Sequence, residues 1–200
     1  SYYVSVTADD NLFDYVDISK MGDTLVLDLK QGYSYSSITV RARIKMPELN
    51  ELILSGATRA YVEDFGSSNR LIVSLSGASS LDMEDMSVGG LEIGVSGASI
   101  ARGDVVSSGD VKLTLSGASR SELSGRGRNL VLSVSGASDA KLSRFSVHDA
   151  YVKLSGVSNA SIDLDGRLDA NLSGGSGLTY SGTATLGEIE ISSGSTIKRG

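Results

Sequence analysis

Two ladders of hydroxyl side chains are the residues of this sequence best placed by type and spacing to do chemistry. Ser55, Ser76, Ser96, Ser116, Ser135 and Ser155 form one, and Thr58, Ser79, Ser99, Ser119, Ser138 and Ser158 the other. A nucleophilic serine needs an adjacent base and one environment unlike the rest. These hydroxyls recur about every 20 residues, and the one histidine, His148, lies in a turn-like stretch. The expectation is therefore that they satisfy backbone groups at a repeated corner, or one another, as buried polar groups must. His148 has no second histidine to share a metal with and reads as a solvated turn residue. No catalytic residue is assigned.

Charged residues fall into columns when the sequence is aligned on its repeat. Glu63, Glu84 and Asp104 come into register with like charges about 5 Å apart. Such a column is a solvated face or, because oxygen ligands suit it, a calcium site. No other cofactor is called for. Two positions earlier, Asp82, Arg102, Glu122 and Lys141 alternate in sign and read as a structural ladder of opposite charges. Arg102, Glu84 and Asp104 are also the residues a polysaccharide lyase would recruit. Hydrolysis, by contrast, needs carboxylates on either side of a bond, and here they share one face.

Two further groups could bind rather than react. Ser74, Gly94, Thr114 and Ser133 make a flat strip of small side chains, which is ordinary sheet surface or a platform for a glycan or protein. Tyr33 and Tyr35, in the segment Gln31-Gly32-Tyr33-Ser34-Tyr35-Ser36, could stack on sugars or pack under neighbouring strands. The absence of tryptophan weakens the sugar reading.

The elements that must position these residues follow from internal repetition. Leu54-Ser55-Gly56-Ala57-Thr58 is echoed at 75–79, 95–99, 115–119, 134–138 and 154–158, and more weakly at Leu172–Ser176 and Ile191–Ser195. Ahead of each motif apolar residues alternate, as in Leu71, Val73, Leu75 and Val111, Leu113, Leu115, which is the period of a half-buried strand. A shorter alternation follows, as in Leu81 and Met83 or Ala140 and Leu142, and supplies a second wall. Ser-Gly-Ala-Ser between the walls is the corner, where glycine admits positive φ and close approach of the next coil. Segments 124–129 and 163–167 vary in length and charge and are expected as outer turns.

Coils of about 20 residues stacked at about 4.8 Å predict an all-β, right-handed parallel β-helix, or β-solenoid, as one domain over 1–200. Residues 51–200 form the repeat coils. Residues 1–50, with strand-like runs Tyr2–Thr7, Thr24–Leu29 and Ile38–Lys45 and a short helix near Asn11–Ile18, are expected as N-terminal coils and cap.

Composition narrows the partners. A net charge of −6 leaves no basic stripe for phosphates, so nucleic acid is not expected. No apolar run reaches the roughly 20 residues of a membrane span, so no membrane insertion of this segment is expected. Without cysteine there are no disulfides or thiolate metal sites. The start at Ser1 rather than Met points to a processed or truncated chain.

The sequence resembles the putative auto-transporter adhesin, head GIN domain family of exported bacterial proteins over nearly its whole length. The likeness is carried by Ala8-Asp9-Asp10-Asn11-Leu12, Gly22 to Leu27, Met46-Pro47-Glu48-Leu49, the repeated Leu-Ser-Gly-Ala-Ser and the closing Gly175 to Gly182. It implies a right-handed β-helix, a cell-envelope or cell-surface location and a further strand preceding Ser1, and it transfers no catalytic residue. The function expected is a non-catalytic adhesion or binding domain that presents a regular face to a glycan or a surface protein. The alternative is a polysaccharide-active lyase or hydrolase. Ice binding would require threonine columns, which the sequence lacks.

Overall fold

The computed structural model describes residues 2–35, 38–192 and 194–200, so Ser36 of the tyrosine segment and Ser193 of the last corner lie outside the described residues. The chain divides into two compact units, Ser1–Pro47 and Glu48–Gly200.

In the second unit the alternating runs become strands of a parallel β-solenoid with about seven turns of roughly 20 residues. Its first sheet is built from strands that precede each corner, such as Arg70–Leu75, Gly90–Val95, Val111–Leu115, Leu130–Val134 and Ala150–Leu154. Its second sheet is built from those that follow, such as Ser80–Val88, Ile100–Ser107, Arg120–Arg126, Asp139–Val147 and Asn159–Leu164. Each sheet has eight strands among the described residues, and every neighbour is one coil away in sequence.

Parallel in-register pairing forces equivalent residues into columns. Val73, Ile93, Leu113, Leu132, Val152 and Ala170 stack inward from the first sheet. Leu81, Ala101, Ser121, Ala140, Ala160 and Leu178 stack inward from the second. All of these side chains are buried in the interior between the two sheets. Each fully buried aliphatic side chain contributes roughly 1.5–3 kcal/mol.

Ser121 interrupts the small apolar column, and its buried Oγ has no hydrogen-bond partner. An unmade buried hydroxyl bond costs about 1–3 kcal/mol. Ser121→Ala should therefore raise the stability of the solenoid by about 1 kcal/mol. Chemical denaturation would show it, and a less stable alanine variant would mean that the hydroxyl is satisfied.

The corners repeat as the motif implies. At Gly117 φ is +79°, and a Cβ built there would lie 2.7 Å from the Gly97 carbonyl oxygen of the preceding coil. That oxygen already accepts a bond of 2.8 Å from the Ala118 amide. The backbone stack leaves no space for a side chain at this point.

The segments expected as outer turns are partly strand: Arg120–Arg126 carries Gly125, and Asn159–Leu164 and Arg167–Leu172 leave only Asp165 and Gly166 between them. The second-sheet strands bend, with register shifts between Gly103 and Val105, Glu122 and Ser124, and Leu142 and Ser146. Beyond the register shifts Met86, Val105, Phe145 and Leu164 are buried, so the core continues under the far ends of these strands.

In the first unit the described strands form two antiparallel pairs in place of parallel coils, Tyr3–Ala8 with Val40–Lys45 and Val16–Met21 with Thr24–Leu29. The helix expected near Asn11–Ile18 is a single 3-10 segment, Asp10–Tyr15. β-Branched Val16 and Ile18 favour the hairpin that follows it.

Candidate functional site

The strip expected on the first sheet is present. Ser74, Gly94, Thr114 and Ser133 stand side by side on four successive strands, and Lys153, Asn171 and Glu190 continue the column. Gly94 does not need to be glycine sterically, since a Cβ there would find its nearest neighbour 3.9 Å away. The low relief is a property of the outward residues and not of the backbone.

The next outward column is Ile72, Glu92, Lys112, Val131, Tyr151 and Asp169. Lys112 bonds Glu92 at 2.8 Å and Arg70 lies 3.5 Å from it, and these cations, Lys112 first, hold the Glu92 carboxyl below its usual range. Val131 and Tyr151 remain exposed, the tyrosine by half. Sequence reasoning missed Tyr151, although its position between inward Ala150 and Val152 marks it as outward. It gives the flat face an aromatic edge suited to sugars or apolar side chains.

The second sheet carries the charges. Arg102 lies 3.6 Å from Asp82, as the ladder requires. Glu122 stands opposite Lys141 but bonds Arg144 at 2.8 Å, so the bend one residue past the column takes the carboxylate away from the lysine. Arg102→Glu would set an acid between Asp82 and Glu122. Its thermal midpoint is expected to fall by about 2 °C in low salt and by less at high ionic strength. An unchanged midpoint in low salt would remove the ladder.

Glu63 and Glu84 pair across the first two strands of this sheet. Asp104 is displaced from their column by the register shift between Gly103 and Val105, beside Asp85 at φ +52°. The Tyr61 hydroxyl donates to Glu84, and this bond, more than its other surroundings, pushes the phenol pKa up to about 12. Among the described residues no three His, Cys, Asp or Glu side chains converge as a metal site.

In the first unit, Tyr33 and Tyr35 are joined by Tyr15, which the sequence did not single out. The Tyr15 and Tyr33 rings meet edge to face at 4.7 Å, and the Tyr35 hydroxyl donates to the Lys30 carbonyl at 2.6 Å. The cluster packs on itself and leaves Tyr33 exposed.

The hydroxyl ladders bond the backbone. Ser96 and Ser135 donate to the carbonyls of Leu75 and Leu115 in the coil before, at 3.2 and 3.3 Å. Ser79 donates to Ser76 at 2.8 Å, Ser119 donates to Val95, and the Ser138 hydroxyl meets that of Ser119 at 3.3 Å. The hydroxyls of Ser79, Ser96, Ser119, Ser135 and Ser138 are thereby held by the backbone of their own or the preceding coil.

The outer turns form a polar ladder. Arg128 grips Asp110 through two bonds of 2.8 and 2.9 Å. His148 bonds Asp165 through Nδ1 at 2.7 Å, with Asp149 at 3.9 Å from Nε2. The Asp165 bond first, and the charge of Asp149 second, raise the imidazole pKa above its ordinary 6.5. A raised folded-state value stabilises the fold fully below about pH 6.5, and this is lost as pH climbs through the higher folded value. The natural chain should thus lose thermal stability relative to Asp165→Asn as pH rises above about 6.5. Parallel pH profiles for the two would contradict that.

The family model described as putative auto-transporter adhesin, head GIN domain matches residues 1–184. No curated protein matches the sequence. A crystal structure of a putative adhesin from Parabacteroides merdae ATCC 43184 is similar with a TM-score of 0.88 at 18% identity, covering 100% of this chain and 83% of that one. A putative adhesin from Parabacteroides distasonis ATCC 8503 has a TM-score of 0.83 at 19% identity, covering 100% and 84%. A putative lipid binding protein from the same organism has 0.78 at 19%, covering 100% and 85%. At these identities the likeness shows the fold.

Proposed function

The chain belongs to the putative auto-transporter adhesin, head GIN domain family, and from that premise we propose a non-catalytic adhesion module, exported to the cell surface, whose first-sheet face holds a glycan or a surface protein. The observation that carries the reading is the level strip Ser74, Gly94, Thr114 and Ser133 beside exposed Val131 and Tyr151. Identical rungs offer a ligand many weak, equivalent contacts, and affinity then grows with length instead of with one hot residue.

A glycan array combined with pull-down from intact cells tests it. Tyr151→Ala and Thr114→Arg should each reduce capture while leaving the thermal midpoint unchanged, because both side chains point to solvent. Capture that survives both substitutions would move the function off this face.

The enzymatic alternative would draw on Glu84, Asp104 and Arg102. Glu84 is bonded to Tyr61, and Arg102 forms an ion pair with Asp82. New reducing ends or unsaturated products from pectic or host glycans would revive it. A lipid reading has one observation in its favour, a cavity of about 420 Å³ in the first unit, lined by Val4, Val6, Ala8, Phe13, Val16 and Ile18. Co-sedimentation with neutral phosphatidylcholine vesicles, lost in Phe13→Asp, would support that reading over the adhesive one.

A further inference from the structure

The second sheet of the solenoid hollows out over its last coils. A shallow cavity of about 300 Å³ opens there on the outer surface, with Asn159, Ser161, Gly177, Thr179 and Thr196 along it and Lys141 and Lys198 at its two ends. Its floor is low for a local reason. Gly177 has no side chain, and the outward positions around it are occupied by short hydroxyl and amide residues, whereas Arg120 and Glu122 occupy the same two columns further back.

The pairing fixes the geometry. Lys141, Ser161, Thr179 and Lys198 are successive members of one column, so the two ammonium groups are three rungs apart, about 14 Å at 4.8 Å per rung. Asp139, Asn159, Gly177 and Thr196 form the parallel column alongside. Neither lysine is matched by a carboxylate among the described residues. The acid expected to neutralise Lys141 is Glu122, and it is bonded to Arg144. Asp139 is held by Arg120 at 3.5 Å, so it enters the groove as a hydrogen-bond acceptor whose charge is balanced. Among the described residues the side chains of Asn159, Ser161, Thr179 and Thr196 make no internal hydrogen bond, in contrast to Ser176 and Ser181 nearby, which do.

We infer that this groove is a binding site for an acidic oligosaccharide, a sugar chain of about three units lying along the solenoid axis with an anionic group at each end. The chemistry is complementary point by point. Two unpaired cations at the ends attract carboxylate or sulfate groups, while the hydroxyl, amide and acceptor groups between them match sugar hydroxyls. A small inorganic anion would satisfy one lysine and none of the middle. The overall charge of −6 makes this local cationic pair selective, because the rest of the surface repels the same ligand. The inference rests on the reading of the domain as a binding module but uses a different sheet.

The test is calorimetric titration of the whole chain with three probes, a tetragalacturonate for carboxylate, a heparin tetrasaccharide for sulfate, and neutral cellotetraose. Binding of either acidic probe, weakening with added salt, with cellotetraose silent, is the expected result; which acid binds tells carboxylate from sulfate. The Lys141→Gln, Lys198→Gln double variant should weaken it about tenfold. Gly177→Val should weaken it as much without touching a charge, since a Cβ there meets side-chain atoms alone, Asn159 Oδ1 at 2.8 Å and Thr196 Oγ1 at 3.7 Å, and fills the groove. Thermal midpoints of both variants check that they fold, and Tyr151→Ala should leave the affinity unchanged. Silence of both acidic probes, or affinity in the lysine and Gly177 variants unchanged from that of the natural chain, overturns the groove. If cell capture still depends on Tyr151 in that case, the adhesive face stands without it.

Discussion

Gly117→Val should lower the thermal midpoint of the solenoid by on the order of 10 °C, equivalent to about 4 kcal/mol. Two effects add. Positive φ is strained for any residue with a Cβ by about 1–2 kcal/mol. The larger effect is steric: the new Cβ would stand 2.7 Å from the Gly97 carbonyl oxygen, and that oxygen is fixed by the Ala118 amide. A flexible side chain could swing away, but a backbone atom in a ladder cannot move without breaking bonds to the coils on both sides. Gly94→Ala is the internal control, with 3.9 Å to its nearest neighbour and ordinary φ, and it should shift the midpoint by no more than about 2 °C. Scanning calorimetry of the pair decides the matter. Equal small shifts would mean that the corners do not stack as tightly as the pairing shows.

Phe145→Ala should be nearly as severe, at about 3–5 kcal/mol. Phe145 is buried beyond the bend of the second sheet, where it pairs with Gly125, and its ring lies 3.2 Å from where a Cβ of Gly127 would be. Gly127 leaves part of the volume that the ring fills. Removing the ring leaves a cavity that the stacked coils cannot collapse into, because their spacing is set by backbone bonds. Phe145→Leu keeps most of the volume and should cost clearly less. Urea denaturation of the three proteins measures the order, and an alanine variant as stable as the leucine one would show that the core past the register shift is loosely packed.

Both predictions concern positions of different legibility in the chain. Gly117 belongs to a motif whose recurrence about every 20 residues already implies a corner stacked on its counterparts. Phe145 belongs to a stretch with no repeat and a variable length, and nothing in its local pattern says that it turns inward. The same contrast runs through the candidate sites. The strip from Ser74 to Ser133 emerges as counted, because alternation has a period of two and the register follows from the corners. The column Glu63, Glu84, Asp104 does not stay in line, because a single extra residue at Asp85 shifts everything beyond it.

The amino-acid sequence by itself determined the parallel stacking, the coil length, the inward and outward faces of the two long walls and the role of the hydroxyl ladders, since all of these are periodic and a period survives without knowledge of distant contacts. Tertiary structure alone decided which charges meet, as with Glu122 leaving Lys141 for Arg144, that Phe145 is buried past the register shift, and that residues before Pro47 pair antiparallel. Those outcomes depend on bulges and bends, whose positions are set by packing between coils and leave no periodic trace along the chain.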